Sequence, residues 1–446
     1  MPVALLPRDV RPLLERHMLA DGMTLVLDLE KSHGVWLEDA VSGDSFLDFF
    51  SSFSTCPVGM NHPALRTEEA IREMLPAAVN KISNSDLYTV ELARFVERFA
   101  GILPEALRGH LFFVEGGALA VENALKAAFD WKRRLNQRHG RSARGSQIVH
   151  FKEAFHGRSG YTLSLTNTDP TKTDYFPKFD WPRVSNPKLV FPLASAGAAA
   201  VEKKEKITLD EIRQALESNP HDVAALILEP IQGEGGDNHF RGEFLQALRE
   251  LADQEEFLLI FDEVQTGFAT TGRWWCFEHF GVEPDILVFG KKTQVCGIAA
   301  SQRLNQVRSV FEISGRINST WGGNLVDMVR CRRFIDIIED ESLLSNASRI
   351  GALLVDKLQR LADELPALLT SPRGRGMLIA FDLPSTEIRD DTLAAMMQER
   401  LIALPSGPRS IRFRPPLTLT AEEAEEGILR CVRALRQVDS ASRGST

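Results

Sequence analysis

The sequence contains no apolar run long enough to span a bilayer, which excludes a membrane-spanning helix as its organising element. Residues Met1 to Val10 carry prolines and charges but no apolar core of signal-peptide length, so no export signal is expected. Cysteine is scarce. Five are scattered at Cys56, Cys276, Cys296, Cys331 and Cys431, and none forms a C-x-x-C pair. A disulfide framework and a zinc site are therefore not indicated, no metal is expected, and a reducing cytoplasm fits best. Positive charge is also short. The net charge is −9 and no basic stripe appears, which argues against nucleic acid as the main partner. Internal repeats and low-complexity tracts are lacking. What is present is an ordinary globular composition, 43% hydrophobic and 25% charged over 446 residues, long enough for two or three domains.

The first segment reads as a short helix from Val10 followed by a strand over Thr24–Leu29. Alternation around Ser42-Gly43 predicts a β-hairpin. A helix is expected from Ala64 to about Leu75, stopped by Pro76. From Leu87 onward helices and strands alternate. The predicted strands are Leu111–Val114, Gln147–Phe151, Val223–Leu228, Phe257–Phe261 and Ile286–Phe289. The intervening helices are Val90–Ala100, Ala118–Arg134 and Arg241–Glu255, and a long irregular stretch follows Arg158. Within it, the alanine-rich Ala194–Ala200 reads as a loop or a helix lead-in. Strands built of continuous apolar residues and separated by helices indicate a mostly parallel sheet covered on both faces. Beyond Thr320 come two long helices, Asn324–Glu339 and Ser342–Leu365. A strand across Arg373–Asp382, a helix Asp391–Glu399, a strand at Ile411–Phe413 and a helix Ala421–Arg436 complete a smaller α+β unit. The expected division is an N-terminal segment 1–60 packing with the small domain, a large domain 61–322, and a C-terminal small domain 323–446.

Functional loops of such sheets sit at the carboxyl ends of the strands, and the unusual residues cluster there. Gly290-Lys291-Lys292 closes an apolar strand. Burying a lysine is costly, but desolvation lowers its pKa and makes the amine a nucleophile, suited to a Schiff base with an aldehyde. Taken alone, the pair reads more readily as two solvated lysines in a loop. Glu115-Gly116-Gly117 opens a helix whose free N–H groups attract a phosphate. Asp262 follows another strand, where a carboxylate can hold a protonated ring nitrogen, cap a helix or bind magnesium. Glu229 and Glu234 end a third strand in a Pro- and Gly-rich turn. Phe155-His156-Gly157-Arg158 places a stacking ring beside a guanidinium able to clamp a carboxylate. Asn318-Ser319-Thr320 supplies side-chain hydroxyls before a helix, where an N-cap is the ordinary use. Arg412 and Arg414 share a strand face, as a solvated edge also would.

Together, in this order, the motifs resemble those of the class III, or ω-, aminotransferases, which are pyridoxal 5′-phosphate (PLP) enzymes of fold type I. The pieces are Gly116-Gly-Ala-Leu-Ala-Val-Glu122, Phe155-His-Gly-Arg158, Glu229-Pro-Ile-Gln-Gly-Glu234, Asp262-Glu-Val-Gln-Thr-Gly267, Phe289-Gly-Lys291, Ser319-Thr320 and Arg412-Phe-Arg-Pro-Pro-Leu417. The likeness runs from about Val35 to Arg436. Within the class it is nearest to the bacterial L-lysine 6-aminotransferase branch, on Phe113–Lys126, Phe155–Thr168 and Gly290–Gly297.

The resemblance implies a role for each matching residue. Lys291, rather than Lys292, would form the Schiff base and then act as the base of the proton shift. Lys292 would lower its pKa by repulsion. Asp262 would hold the pyridinium nitrogen, making the ring an electron sink. Phe155 and Val264 would enclose the ring, with His156 beside it, and Gln265 would bond its phenolic oxygen. The N–H groups of Gly117 and Ala118 would bind the phosphate. Thr320 would reach the phosphate of the neighbouring subunit, which implies a homodimer. Many relatives carry Ser or Thr at Ala118 and Glu at Leu119, so one hydroxyl donor is missing here. The implied substrates are L-lysine and 2-oxoglutarate. Glu234 paired with Arg412 would admit the lysine chain. Unpaired, Arg412 would bind the α-carboxylate of 2-oxoglutarate. Arg158 would hold the distal carboxylate and Asn318 the lysine α-amino end. Rival readings are an ornithine, 4-aminobutyrate or diaminobutyrate aminotransferase, a PLP racemase or aminomutase, and a non-enzymatic binding module.

Overall fold

A seven-stranded sheet organises the chain in the computed structural model, which describes residues 5–192 and 195–444. In spatial order its strands are His110–Val114, Cys296–Ala300, Ile286–Phe289, Leu258–Asp262, Val223–Leu228, Gln147–Phe151 and Arg183–Val184. Cys296–Ala300 runs antiparallel to both neighbours, and the pairings among the later strands are parallel.

Alternate residues of these strands enter two separate cores. Leu226, Leu228, Leu259, Phe261, Leu287 and Phe289 belong to one, while Ala225, Ile227, Ile260, Ile286 and Val288 belong to the other. The helix Gly117–Arg138 covers the second face through Val121, Ala124, Leu125, Ala128 and Trp131. Helices Val90–Gly101, Gly242–Gln254 and Leu325–Asp340 contribute to the first. Burial of both faces is what the continuous apolar strands require. Among the described residues, no helix is long and apolar enough to cross a membrane.

A second, four-stranded sheet has the order Thr370–Arg375, Leu378–Asp382, Ser410–Phe413, Leu404–Ser406. The strands Trp36–Glu38 and Ser45–Asp48 form the expected hairpin, and Ser45–Asp48 pairs in parallel with Leu401–Ile402. Helix Leu325–Asp340 packs on helices Glu68–Val79 and Val90–Gly101.

Several local expectations are corrected. No strand forms over Thr24–Leu29, where only Leu27 bridges to Asp39. The Val26 N–H donates to the Asp39 side chain instead of to a ladder. The helix expected from Ala64 begins at Glu68, because Thr67 caps it through the Ala70 N–H at 3.2 Å. Pro76 does not end it. The helix continues through it to Val79, with the Asn80 N–H closing back on the Pro76 carbonyl at 3.2 Å. The single strand across Arg373–Asp382 is two, turned at Gly376 with φ +58°. The next helix starts at Thr386, where Ser385 accepts the Ile388 N–H. The irregular stretch holds a 24-residue helix, Ser195–Ser218, to which the alanine-rich segment is the lead-in. Ala194 lies outside the described residues.

Candidate active site

Five strand ends converge on one region. Val114 leads to the Gly116-Gly117 turn, Phe151 to Phe155-His156, Leu228 to Glu229, Ile260-Phe261 to Asp262, and Phe289 to Gly290-Lys291. Lys291 sits in a tight connection between the adjacent antiparallel strands Ile286–Phe289 and Cys296–Ala300, with its backbone at φ +55°. It keeps some surface open, as a residue facing a site must. Burial is the first cause that lowers its pKa. Arg412 lowers it further, Glu234 opposes, Arg414 lowers it again and Asp262 opposes, with a result of about 8.

Lys292 does not play the expected repulsive part. It is buried, and its Nζ donates to the Gln265 carbonyl at 2.7 Å. Burial, then Lys291, pushes its own pKa well below the ordinary value, and Lys292 is not among the groups that lower the Lys291 pKa. Arg412 takes that role.

Asp262 is buried at 5% exposure. Its Oδ2 lies 2.8 Å from His156 Nδ1 and its Oδ1 accepts the Val264 N–H at 3.1 Å. His156 Nε2 is buried with no hydrogen-bond partner among the described residues. Behind this pair, Glu229 accepts the N–H groups of Phe155 at 3.0 Å and Gly233 at 2.9 Å. Burial raises its pKa to about 7, opposed by His156 and assisted by Asp262.

The cradle for an anion is the start of helix Gly117–Arg138, which has no side-chain cap and so leaves its first N–H groups, including those of Gly117 and Ala118, available. A Cβ at Gly117 would lie 3.2 Å from Val264, so the missing side chain lets the helix start approach that residue. The glycine at 157 lets the Phe155–Arg158 loop approach this helix start. A Cβ at Gly157 would stand 2.7 Å from the Ala118 Cβ, so a side chain there would push the two apart.

Gln265 is held by two arginines. Its Oε1 accepts from Arg412 Nη1 at 3.4 Å and Arg414 Nη2 at 3.2 Å, which turns its amide nitrogen away from them as a donor. A side chain at Gly233 would strike this amide, its Cβ 2.0 Å from Oε1. Arg412 and Arg414 are buried at 2% and 1% exposure, so the solvated-edge alternative for them is excluded. Arg414 pairs with the equally buried Asp237. Arg412 Nη2 bonds Glu234 Oε2 at 2.7 Å. Burial alone would raise the Glu234 pKa, but Arg412 and Lys172 outweigh it and hold the carboxyl at about 2.

Arg158, Asn318 and Thr320 are exposed. No hydrogen bond joins them to the cluster among the described residues. Asn318 Oδ1 accepts the Ser319 N–H, and the Ser319 carbonyl accepts from Ser85. Sequence reasoning missed Lys172, whose Nζ bonds Glu234 Oε1 at 2.6 Å, and Asp237. Neither carries a pattern signal, although the Gly235-Gly236 pair ahead of Asp237 marks a tight turn.

A part-buried strand-end amine of lowered pKa, a buried carboxylate bonded to the histidine that follows Phe155, Val264 against the helix start, and the free N–H groups of that start fit a phosphorylated pyridine aldehyde. The comparisons agree. The family model described as aminotransferase class-III matches residues 18–435. The chain is 51% identical over 432 residues to the L-lysine-epsilon aminotransferase of Mycobacterium tuberculosis, covering 96% of each chain. It is 50% identical over 436 residues to that of Amycolatopsis lactamdurans, covering 96% of this chain and 97% of the relative. Among solved structures, the lysine aminotransferase from M. tuberculosis in the internal aldimine form superposes with a TM-score of 0.95 at 51% identity, over 97% of this chain and 100% of that one. The fold is that of the fold type I enzymes and the cofactor is pyridoxal 5′-phosphate. The chain belongs to the class III aminotransferases and is a PLP-dependent transaminase.

Proposed function

We propose that this enzyme transfers the ε-amino group of L-lysine to 2-oxoglutarate. The products would be L-glutamate and L-2-aminoadipate 6-semialdehyde, which cyclises to piperideine-6-carboxylate. The observation that carries the reading is full-length identity near one half to relatives named L-lysine-epsilon aminotransferases.

The residue roles belong to this proposal. Bound pyridoxal phosphate supplies an electron sink for the carbanion left at the amine-bearing carbon. Lys291 would hold the cofactor through its amine and, as a free base, would take and return the proton at the amine-bearing carbon. Asp262, oriented by His156, keeps a proton on the ring nitrogen. Phe155 and Val264 would bound the ring, Gln265 would donate to its phenolic oxygen through the amide nitrogen, and Gly117 and Ala118 would hold the phosphate. Glu234 screens Arg412 while the uncharged lysine chain is in place and releases it to the α-carboxylate of 2-oxoglutarate. Arg158 takes the distal carboxylate in both half-reactions and Asn318 the lysine α-amino group.

The working unit is a homodimer in which Thr320 serves the partner's site. Its support is the exposure of Thr320 and Trp321, and the exposed apolar Leu75, Val79, Leu87 and Tyr88. The enzyme is cytoplasmic, consistent with its five unpaired cysteines. The chain divides into residues 1–60, 61–322 and 323–446, and helix Leu325–Asp340 is one of the elements that touch both larger parts.

The test is a paired assay on purified, PLP-loaded protein. L-lysine, L-ornithine and 4-aminobutyrate are each supplied with 2-oxoglutarate, and glutamate is measured with the o-aminobenzaldehyde adduct of the cyclic imine. Turnover with lysine, and little with the others, is expected. Turnover with another amine but not lysine would discard the substrate assignment. Glutamate from none of them would favour a racemase or aminomutase.

A further inference from the structure

Glu234 has two cationic partners. Arg412 reaches Oε2 from the buried side at 2.7 Å, and Lys172 reaches Oε1 from the outer side at 2.6 Å. The two differ in access, since the Arg412 side chain is 3% exposed and that of Lys172 is 21% exposed. Lys172 ends the short turn Pro170–Lys172, fixed by Asp169 accepting the Thr171 N–H at 2.9 Å. Its ammonium also stands 5.5 Å from the centre of the Phe155 ring. It therefore spans the mouth between the cofactor wall and the Glu234–Arg412 pair.

A two-state Glu234 has a cost on one side. When a dicarboxylate takes Arg412, the Glu234 carboxylate loses its buried partner, and a partly buried carboxylate without a partner is unfavourable. A second cation already bonded to the other oxygen removes that penalty. It also weakens the hold of Arg412 beforehand, because the carboxylate is shared.

We propose that Lys172 is a specificity-positioning residue for the acidic substrate. It retains Glu234 when Arg412 turns to a dicarboxylic oxo-acid, and so favours the 2-oxoglutarate half-reaction over the amine-donor half-reaction. The inference rests on the Glu234–Arg412 switch proposed above.

The test uses PLP-loaded holoenzyme carrying Lys172→Met, Lys172→Arg, Glu234→Ala, or Lys172→Met with Glu234→Ala. Single-turnover rates are measured for L-lysine with the aldehyde form and for 2-oxoglutarate with the amine form. Binding of glutarate, a non-reacting dicarboxylate, is measured by calorimetry. Lys172→Met is expected to weaken glutarate and 2-oxoglutarate binding about tenfold, as loss of one charge-assisted hydrogen bond would. The lysine half-reaction should fall far less. Lys172→Arg should restore glutarate binding, and the Lys172→Met effect should vanish where Glu234 is already alanine. Equal losses in both half-reactions would reduce Lys172 to packing on Phe155, and no change in either would remove it from the site. Glu234→Ala leaving the ratio of half-reactions unchanged would overturn the switch, and the role of Lys172 with it. Glu234→Ala shifting that ratio while Lys172→Met is silent would overturn this inference alone.

Discussion

His156 Nδ1 lies 2.8 Å from Asp262 Oδ2, and both side chains are shut off from solvent. The histidine cannot turn without breaking this buried bond, so it fixes the carboxylate. Asp262→Asn keeps the shape but removes the charge that stabilises a protonated ring. Turnover is expected to drop by roughly a hundredfold or more, the scale of losing one preorganised electrostatic contact. Steady-state rates at saturating cofactor would show it. An Asp262→Asn enzyme within a few-fold of the wild type would remove this residue from the chemistry.

Lys291 and Lys292 separate by their partners. Lys291→Ala is expected to abolish turnover to about a hundredth or below, the general-base contribution being of that order. Lys292→Met should keep much of the activity, because its amine is occupied with the Gln265 carbonyl at 2.7 Å. Glutamate formation by the two variants checks this. Equal loss in both would mean that the assignment of the nucleophile is wrong.

The lowered pKa of Lys291 has a kinetic reading. Only the neutral amine attacks an aldehyde, so capture of pyridoxal phosphate by the cofactor-free protein should rise with pH through about 8 rather than about 10.5. Below 8 the ammonium dominates and capture slows. Arg412→Met removes one of the two arginines holding the pKa down, and its half-maximal pH should move upward. Stopped-flow absorbance over pH 6 to 10 reads both, and an unshifted Arg412→Met curve would contradict the stated cause.

Arg414 and Asp237 form a pair with each partner 1% exposed. Asp237→Asn leaves a buried guanidinium without its counter-charge and is expected to destabilise the fold by about 3 kcal/mol. Denaturant unfolding of the cofactor-free protein measures it. Because Arg414 also bonds Gln265 Oε1, the variant should bind cofactor less tightly as well.

Sharing of Thr320 between subunits is testable by mixing. Lys291→Ala and Thr320→Val are each expected to be impaired. Hybrids of the two carry one intact site only if Thr320 acts across the interface. Recovery of activity on mixing, after unfolding and reassembly, supports that arrangement. No recovery places Thr320 in its own subunit's site.

Much of the sheet was legible because Val223–Leu228 and Ile286–Phe289 are unbroken apolar runs, and burial on both faces leaves no other use for them. The strand Cys296–Ala300 was not, since cysteine, glycine and alanine carry little strand preference of their own. Its place is set by pairing with His110–Val114 and Ile286–Phe289. The nucleophile and the ring carboxylate stood out as charges at the ends of apolar strands. Lys172 did not, because its partner is 62 residues away and the intervening loop has no period. The Arg414–Asp237 pair spans 177 residues for the same reason.

The connection between Ile286–Phe289 and Cys296–Ala300 also governs what moves. Phe289 pairs with Gly297, so the backbone carrying Lys291 is clamped from both sides by buried strands. The amine is a tethered arm on a stationary pivot. Most of its reach comes from rotation about its own side-chain bonds, and the reacting carbon has to be delivered within that arc. Selectivity then lies in how the mouth orients each substrate, since the reactive amine cannot travel to meet a badly placed one.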